Sequence, residues 1–133
     1  MNLVDSYDEL IVALCVWREA RGEDYEAKVA VASVIRNRQK DLRWPSTLSE
    51  VVLQPLQFSS FNANDPNAVR LPRRSRFADW SAFEECCRAV SESASRDAAD
   101  GANHYHDTSI PPPHWTAQMK HVKQVGKLVF YKG

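Results

Sequence analysis

The residues best suited to chemistry begin at Trp17-Arg18-Glu19-Ala20-Arg21-Gly22-Glu23. Glu19 falls in the last turn of an apolar helix, where unpaired carbonyl groups carry partial negative charge. That field disfavours a carboxylate and favours its protonated form, and Trp17 with its apolar neighbours would add desolvation. A carboxylic acid kept protonated near neutral pH is what a glycosidic oxygen needs as it leaves. The plainer alternative is a solvent-facing Glu19 paired with Arg18 or Arg21, since structural ion pairs also perturb carboxylates. Glu23 follows on the same segment, either as a second carboxylate at the site or as a residue that caps or bridges the turn between two helices.

Three later segments carry groups that suit a sugar ligand. Gln57-Phe58-Ser59 combines an amide and a hydroxyl with an aromatic, able to bond sugar hydroxyls or an acetamido group; an ordinary turn is the alternative. Asn103-His104-Tyr105-His106 reads as a strand on which His104 and His106 face the same way. With His114 and Glu19 these histidines sketch a zinc site, but no His-Glu-x-x-His helix is present, so sugar binding or core hydrogen bonding is the better reading and no metal is expected. Trp115 is either a stacking platform for a sugar ring or a core aromatic. Asp65 and Asp107 join Glu23 as candidates for a second catalytic carboxylate.

These groups depend on elements that the local pattern predicts. Ser6 and Glu9 form a capping box, starting a helix near Tyr7 with Leu10, Leu14 and Trp17, plus Ile11 and Cys15, as its apolar stripe. Gly22 is read as the left-handed residue that stops it. Asp24 then caps a second helix to about Lys40, and Ala27, Ala30, Val31, Val34 and Ile35 make it apolar on more than one face, as a central buried helix is. Trp44-Pro45 breaks the chain, and Thr47 with Glu50 opens a short helix through about Leu53. Gln54 to Phe61 reads as extended or hairpin-like, and Asn62 to Arg76 as a long loop. Asp79 is read as the cap of a third long helix, with Trp80, Phe83, Cys87 and Val90 buried and Asp100-Gly101 as its end. Pro111-Pro112-Pro113 forbids regular structure, and Val125 to Tyr131 closes the chain as a strand.

Composition narrows the class. At 133 residues and 44% hydrophobic content the chain suits one soluble core, a single domain over 1–133. Seventeen basic and seventeen acidic residues balance, which argues against a dedicated nucleic-acid binder. The basic run Arg70-Leu71-Pro72-Arg73-Arg74-Ser75-Arg76 is a solvated loop or a patch for an anionic ligand. No apolar stretch is long enough to span a membrane, and the acidic start shows no signal peptide. Cys15, Cys86 and Cys87 are read as reduced core or near-core residues rather than a disulfide framework.

In order and spacing, these segments resemble the cell wall hydrolase family of the spore cortex-lytic, SleB type. The resemblance runs through Glu19-Ala20-Arg21-Gly22-Glu23, Val29-Ala30-Val31-Ala32-Ser33-Val34-Ile35-Arg36-Asn37-Arg38, Trp44-Pro45 with Val51-Val52, Gln57-Phe58-Ser59, Gly101-Ala102-Asn103-His104-Tyr105-His106, Pro113-His114-Trp115 and Gly126-Lys127-Leu128-Val129-Phe130-Tyr131. It implies an α+β, mainly α, lysozyme-like fold with a small β-element beside the cleft. It also implies peptidoglycan glycan strands as substrate, the bond between N-acetylmuramic acid and N-acetylglucosamine as target, and Glu19 as catalytic acid. Glu23, Gln57, Phe58, Ser59, Asn103, His104, Tyr105, His106 and Trp115 would bind substrate, with no cofactor, no nucleic-acid or membrane partner, and a monomeric state. The chain departs from the family in Arg18, where Gly is frequent, and in Asn103, where Thr or Ser is frequent. The family's spore members carry a signal sequence and a separate binding domain, so this compact chain reads instead as a phage lysis enzyme, made in the host cytoplasm and released to the wall by a membrane-permeabilising protein.

Three readings lead, with a zinc amidase a distant fourth. A lytic transglycosylase needs Glu19 alone; a hydrolytic muramidase needs a second carboxylate from Glu23, Asp65 or Asp107; a wall-binding or virion module would keep the fold without catalysis.

Overall fold

The computed structural model describes residues 3–54, 58 and 70–133. The described chain forms α1 (Leu3–Ala20), α2 (Tyr25–Gln39), α3 (Leu48–Leu53), α4 (Phe77–Ser93), β1 (His104–Asp107), a 3₁₀ turn (His114–Gln118), β2 (Lys120–Val125) and β3 (Leu128–Lys132). None of the described helices is long and apolar enough to cross a membrane.

Helix α2 lies at the centre, with Ala27, Val29, Ala30, Val31, Ala32, Val34 and Ile35 fully buried. Asp24 caps it as the sequence indicates, its Oδ1 accepting from Ala27 N at 2.9 Å. Helices α1, α3 and α4 and the sheet pack around it. The polar groups along α2 are turned to neighbours. Lys28 Nζ meets Glu85 Oε1 on α4 at 3.0 Å, and Arg36 Nε donates to Ser93 Oγ at 2.7 Å. Ser33 Oγ accepts from Ala98 N at 3.0 Å, holding the segment after α4 against the core.

Several local expectations are corrected. Helix α1 starts at Leu3 rather than near Tyr7, so Ser6 lies inside it and Asp5 supplies the acidic first turn that complements the helix dipole. Its buried residues are Val12, Ala13, Cys15, Val16, Trp17 and Ala20, whereas Leu10 is 54% exposed. α1 packs against α2, α3 and α4, and contact on several sides overrides a single stripe. The helix ends before Gly22, but that glycine is not left-handed. The Thr47 cap does form, its hydroxyl accepting from Glu50 N at 3.3 Å.

Helix α4 begins at Phe77 after Arg76, so Asp79 sits in its first turn and is not its cap. Cys86 rather than Cys87 faces the core, and Cys87 is exposed; all three cysteines are free thiols. The helix stops at Ser93. Asp97 organises the turn beyond it, accepting from Ala99 N at 2.9 Å and Gly101 N at 2.8 Å around a left-handed Asp100 (φ 49°) and Gly101 (φ 85°).

The sheet is antiparallel with strand order β1-β3-β2. The expected closing strand over 125–131 forms as β3 from Leu128, but its first residues belong to a hairpin that the sequence reading did not include. Val125 pairs Leu128 across Gly126-Lys127, and β2 runs back to Lys120 with an irregular register between His121 and Lys123. Gly126 opens this turn at φ 57°, the backbone that a two-residue hairpin needs at its first central position. Glu23 braces the turn, its Oε1 accepting from Lys127 N at 3.3 Å.

The two glycines should therefore respond oppositely to alanine. At Gly126 the Cβ would occupy a left-handed residue 3.4 Å from Glu23 Oε1, while at Gly22 it would meet nothing within 4 Å. Gly126→Ala is expected to cost about 1–2 kcal/mol in urea unfolding. Gly22→Ala should be neutral or stabilise by up to about 1 kcal/mol.

Candidate active site

The last turn of α1 and the sheet face each other across a cleft of about 610 Å³. One wall holds Glu19 from α1 and Arg38 from the end of α2, with Phe58 beside them; the other holds Tyr105, His106 and Asp107 from β1 and Leu128 from β3. Ile110, Pro113 and Trp115 close one end, carried by the proline run and the 3₁₀ turn behind it.

Glu19 is half-buried, the penultimate residue of α1, on a helix whose preceding turns are locked in the core. Cys15, one turn earlier, lies wholly buried below it. Burial drives the Tyr105 hydroxyl well above its ordinary pKa, and the negative charge of Glu19 pushes it further in the same direction. Tyr105 therefore stands in the cleft as a neutral phenol. Trp17, expected to desolvate Glu19, instead lines a separate cavity with Arg70, Arg73 and Arg76.

Arg38 is buried, 5% exposed. Its Nε donates to the Asn103 carbonyl at 2.7 Å, and its guanidinium lies 5.3 Å from the Phe58 ring and 5.5 Å from that of Trp44. Burial lowers its pKa, against the opposing influence of Tyr105 and Cys15. Sequence reasoning missed Arg38 as a site residue. The signal was present: Arg38 follows Val31, Val34 and Ile35 at helical spacing, so it continues the buried stripe of α2.

The two histidines of β1 have distinct surroundings. His104 packs between Trp44 (ring centroids 5.8 Å) and Trp115 (5.4 Å), and its Nδ1 lies 2.8 Å from Asn103 Oδ1. Desolvation, aided by the charges of Arg38 and Arg43, lowers its pKa to about 4. His106 stacks on Tyr131 and reaches its hydroxyl through Nε2 at 3.1 Å, while Nδ1 lies 3.1 Å from the Asp107 carbonyl. A carbonyl only accepts, so Nδ1 donates to it. Trp115 meets both histidines and Tyr131 while facing the cleft, so it is both an aromatic packed against the sheet and part of the cleft lining.

Asp107, named from sequence only as a possible second carboxylate, lines the same cleft as Glu19. The Ser109 amide donates to its Oδ1 at 2.8 Å and holds its pKa below the ordinary value. Asn103 is buried and engaged within the protein: Nδ2 donates to Gly133 O at 2.9 Å, and Oδ1 accepts from Gly133 N at 3.0 Å. Glu23 reaches the hairpin turn rather than the described lining of the cleft. Gln57, Ser59 and Asp65 lie outside the described residues.

A mainly helical body with a small sheet flanking an acid-bearing cleft defines a lysozyme-like domain. Comparison with known proteins narrows this further. The model of the cell wall hydrolase family matches residues 22–131. The spore cortex-lytic enzyme of Halalkalibacterium halodurans is 31% identical over 92% of this chain and 34% of its own length. That of Bacillus subtilis is 28% identical over 92% of this chain and 37% of its own length. The chain thus spans little more than a third of these curated relatives. Among solved structures, the catalytic domain of the Bacillus cereus SleB protein matches with a TM-score of 0.76 at 28% identity, covering 94% of this chain and 89% of that one. The catalytic domain of the germination-specific lytic transglycosylase SleB from Bacillus anthracis matches with a TM-score of 0.77 at 27% identity, covering 99% and 97%. The chain belongs to the cell wall hydrolase family, of the SleB type.

The His104 environment predicts an acid-sensitive fold. Its pKa falls from an unfolded value near 6.5 to about 4 in the folded protein, so between these values the unfolded chain binds the extra proton. Stability contributed by neutral His104 is complete above about pH 6.5 and is lost as pH falls toward 4. The wild-type melting temperature should drop from pH 7 to pH 4.5 by more than that of His104→Gln. Equal drops would show that His104 is not the group responsible.

Proposed function

We propose that this chain is a single catalytic domain that cleaves the glycan strands of peptidoglycan between N-acetylmuramic acid and N-acetylglucosamine, as a lytic transglycosylase with Glu19 as acid and base. The observation that carries this reading is the position of Glu19 at the rigid end of α1, inside a cleft roomy enough for sugar rings. The likeness of the whole fold to a domain described as a lytic transglycosylase supports it.

In this mechanism the Glu19 carboxylic acid gives its proton to the bridging oxygen as the bond to the muramic anomeric carbon breaks. The departing sugar leaves with that proton as its 4-hydroxyl. The muramic ring passes through an oxocarbenium-like state. The Glu19 carboxylate then takes the proton of the muramic 6-hydroxyl, whose oxygen bonds to the anomeric carbon. An anhydro ring closes, no water is consumed, and Glu19 is again protonated. Tyr105, held neutral, and Trp115 line the cleft in which the sugar would sit.

Muropeptide mass spectrometry tests this. Wild type should release anhydromuramic products, lighter by one water than hydrolytic ones, and Glu19→Gln should lower the rate by about 100- to 10,000-fold, the usual range for a lost general acid. Reducing-end muramic products from wild type, or no cleavage, would overturn the proposal.

One observation favours a second reading, a hydrolytic muramidase: Asp107 shares the cleft and its pKa is held low. Asp107→Asn separates the two. Under the transglycosylase reading the variant retains anhydro products with less than about a tenfold loss, since no second carboxylate is required. A loss as deep as that of Glu19→Gln, together with reducing-end products from wild type, would establish Asp107 as nucleophile or base.

A further inference from the structure

The basic run that the cleft does not use lines a cavity of its own. Trp17 and Glu19 are two residues apart on α1, roughly 200° around the helix axis. Glu19 faces the cleft, whereas Trp17 lines a second cavity of about 470 Å³. Among the described residues, Arg70, Arg73 and Arg76 line that cavity with one carboxylate, Asp79. All three arginines are exposed, and none forms an ion pair among the described residues.

Two further features mark this cavity as a place for an anion. Helix α4 opens on it: Arg76 is its N-cap residue and provides no side-chain cap, so the positive end of a 17-residue helix adds to the arginines. The indole of Trp17 is 1% exposed, and its Nε1 finds no acceptor among the described residues. A buried donor of this kind normally has a partner. Cations, helix end and unpaired donor all call for oxygen acceptors.

The cavity is also tied to the catalytic end of α1. Arg18, adjacent to Glu19, donates through Nε to the Arg70 carbonyl at 3.0 Å. A glycan bound in the cleft brings with it the peptides attached to its muramic residues, and these carry carboxylates. The guanidinium fork matches a carboxylate well. We propose that the arginine-lined cavity is an accessory subsite for a carboxylate of the peptide borne by the glycan substrate. This assignment rests on the glycan-cleaving reading of the cleft.

The test combines binding with turnover. The Trp17 indole N–H resonance, assigned with Trp17→Phe, is followed as a soluble stem tetrapeptide is added, and separately as inorganic phosphate is added. The peptide should produce a saturable shift at lower concentration than phosphate, and the Arg73→Ala/Arg76→Ala double variant should weaken it about tenfold. In digestion, wild type should show a lower KM for intact strands than for strands stripped of peptide. The double variant should lose that difference, while Arg74→Ala should keep it, since Arg74 lies over Trp80 at 5.5 Å and outside the lining. No peptide shift, a shift that survives in the double variant, or equal KM values for both strands in wild type would overturn the proposal. Tighter response to phosphate than to peptide would overturn it in favour of a phosphate-bearing wall polymer. The resonance measurement needs no turnover, so its result is separable from any failure of the transglycosylase reading.

Discussion

The hydrogen bond from Arg38 Nε to the Asn103 carbonyl joins the two halves of this protein. A buried guanidinium is costly unless its donors are met and its surroundings are polarizable. Here the carbonyl meets Nε, and the rings of Phe58 and Trp44 lie close to the charge. Asn103 passes the constraint on. Its amide donates to Tyr131 O at 2.9 Å, its side chain clamps Gly133 in both directions, and its Oδ1 lies against His104. One residue thus links the end of α2 to β1 and to the far end of β3. Glu19 belongs to the helical half and Tyr105, His106 and Asp107 to the sheet, so the separation of the cleft walls follows from this junction. Glu23 adds a second tie between the halves, at the hairpin turn.

The fold was legible in the sequence where a local rule and the global packing agree. Helix α2 is the clearest instance: an Asp24 cap, apolar residues on several faces and a buried position all coincide. Where the two diverge, local rules fail in recognisable ways. The capping box at Ser6 and Glu9 lies inside a helix that already has an acidic first turn at Asp5. Asp79 has a capping side chain, but the turn at Arg73–Arg76, closed by Arg76 N to Arg73 O at 3.1 Å, starts the helix earlier. Cys86 and Cys87 point about 100° apart on a helix, and only contact with the core selects between them. Strand β2 escaped notice because Lys120, His121, Lys123 and Gln124 give it almost no apolar alternation, as suits a partly exposed edge strand with a shifted register.

The site was legible in its chemistry more than in its geometry. Glu19, Tyr105, His106 and Trp115 come together across one cleft as their motifs suggested, joined by Phe58. What a linear pattern does not carry is which way a polar side chain is spent. Asn103 and Glu23 read as ligands for sugar, yet their hydrogen bonds run to Gly133 and Lys127, which are 30 and 104 residues distant. Such partners arise from the closure of the sheet onto the helices. Arg38 is the converse, a charged residue on a buried stripe that local polarity disguises as surface.

The electrostatics of the cleft bear on what kind of charge it tolerates. Tyr105 is held as a neutral phenol and His104 as a neutral imidazole, and in both cases burial is the leading cause. Neither adds a positive charge to the sheet wall near neutral pH. In the proposed mechanism, a sugar ring acquiring positive charge meets the carboxylate left on Glu19 with no added cation from Tyr105 or His104. Differential stabilisation of this kind, greater for the transition state than for the bound substrate, is what accelerates a reaction. It depends on the walls keeping their spacing, and so on the buried contact between Arg38 and Asn103.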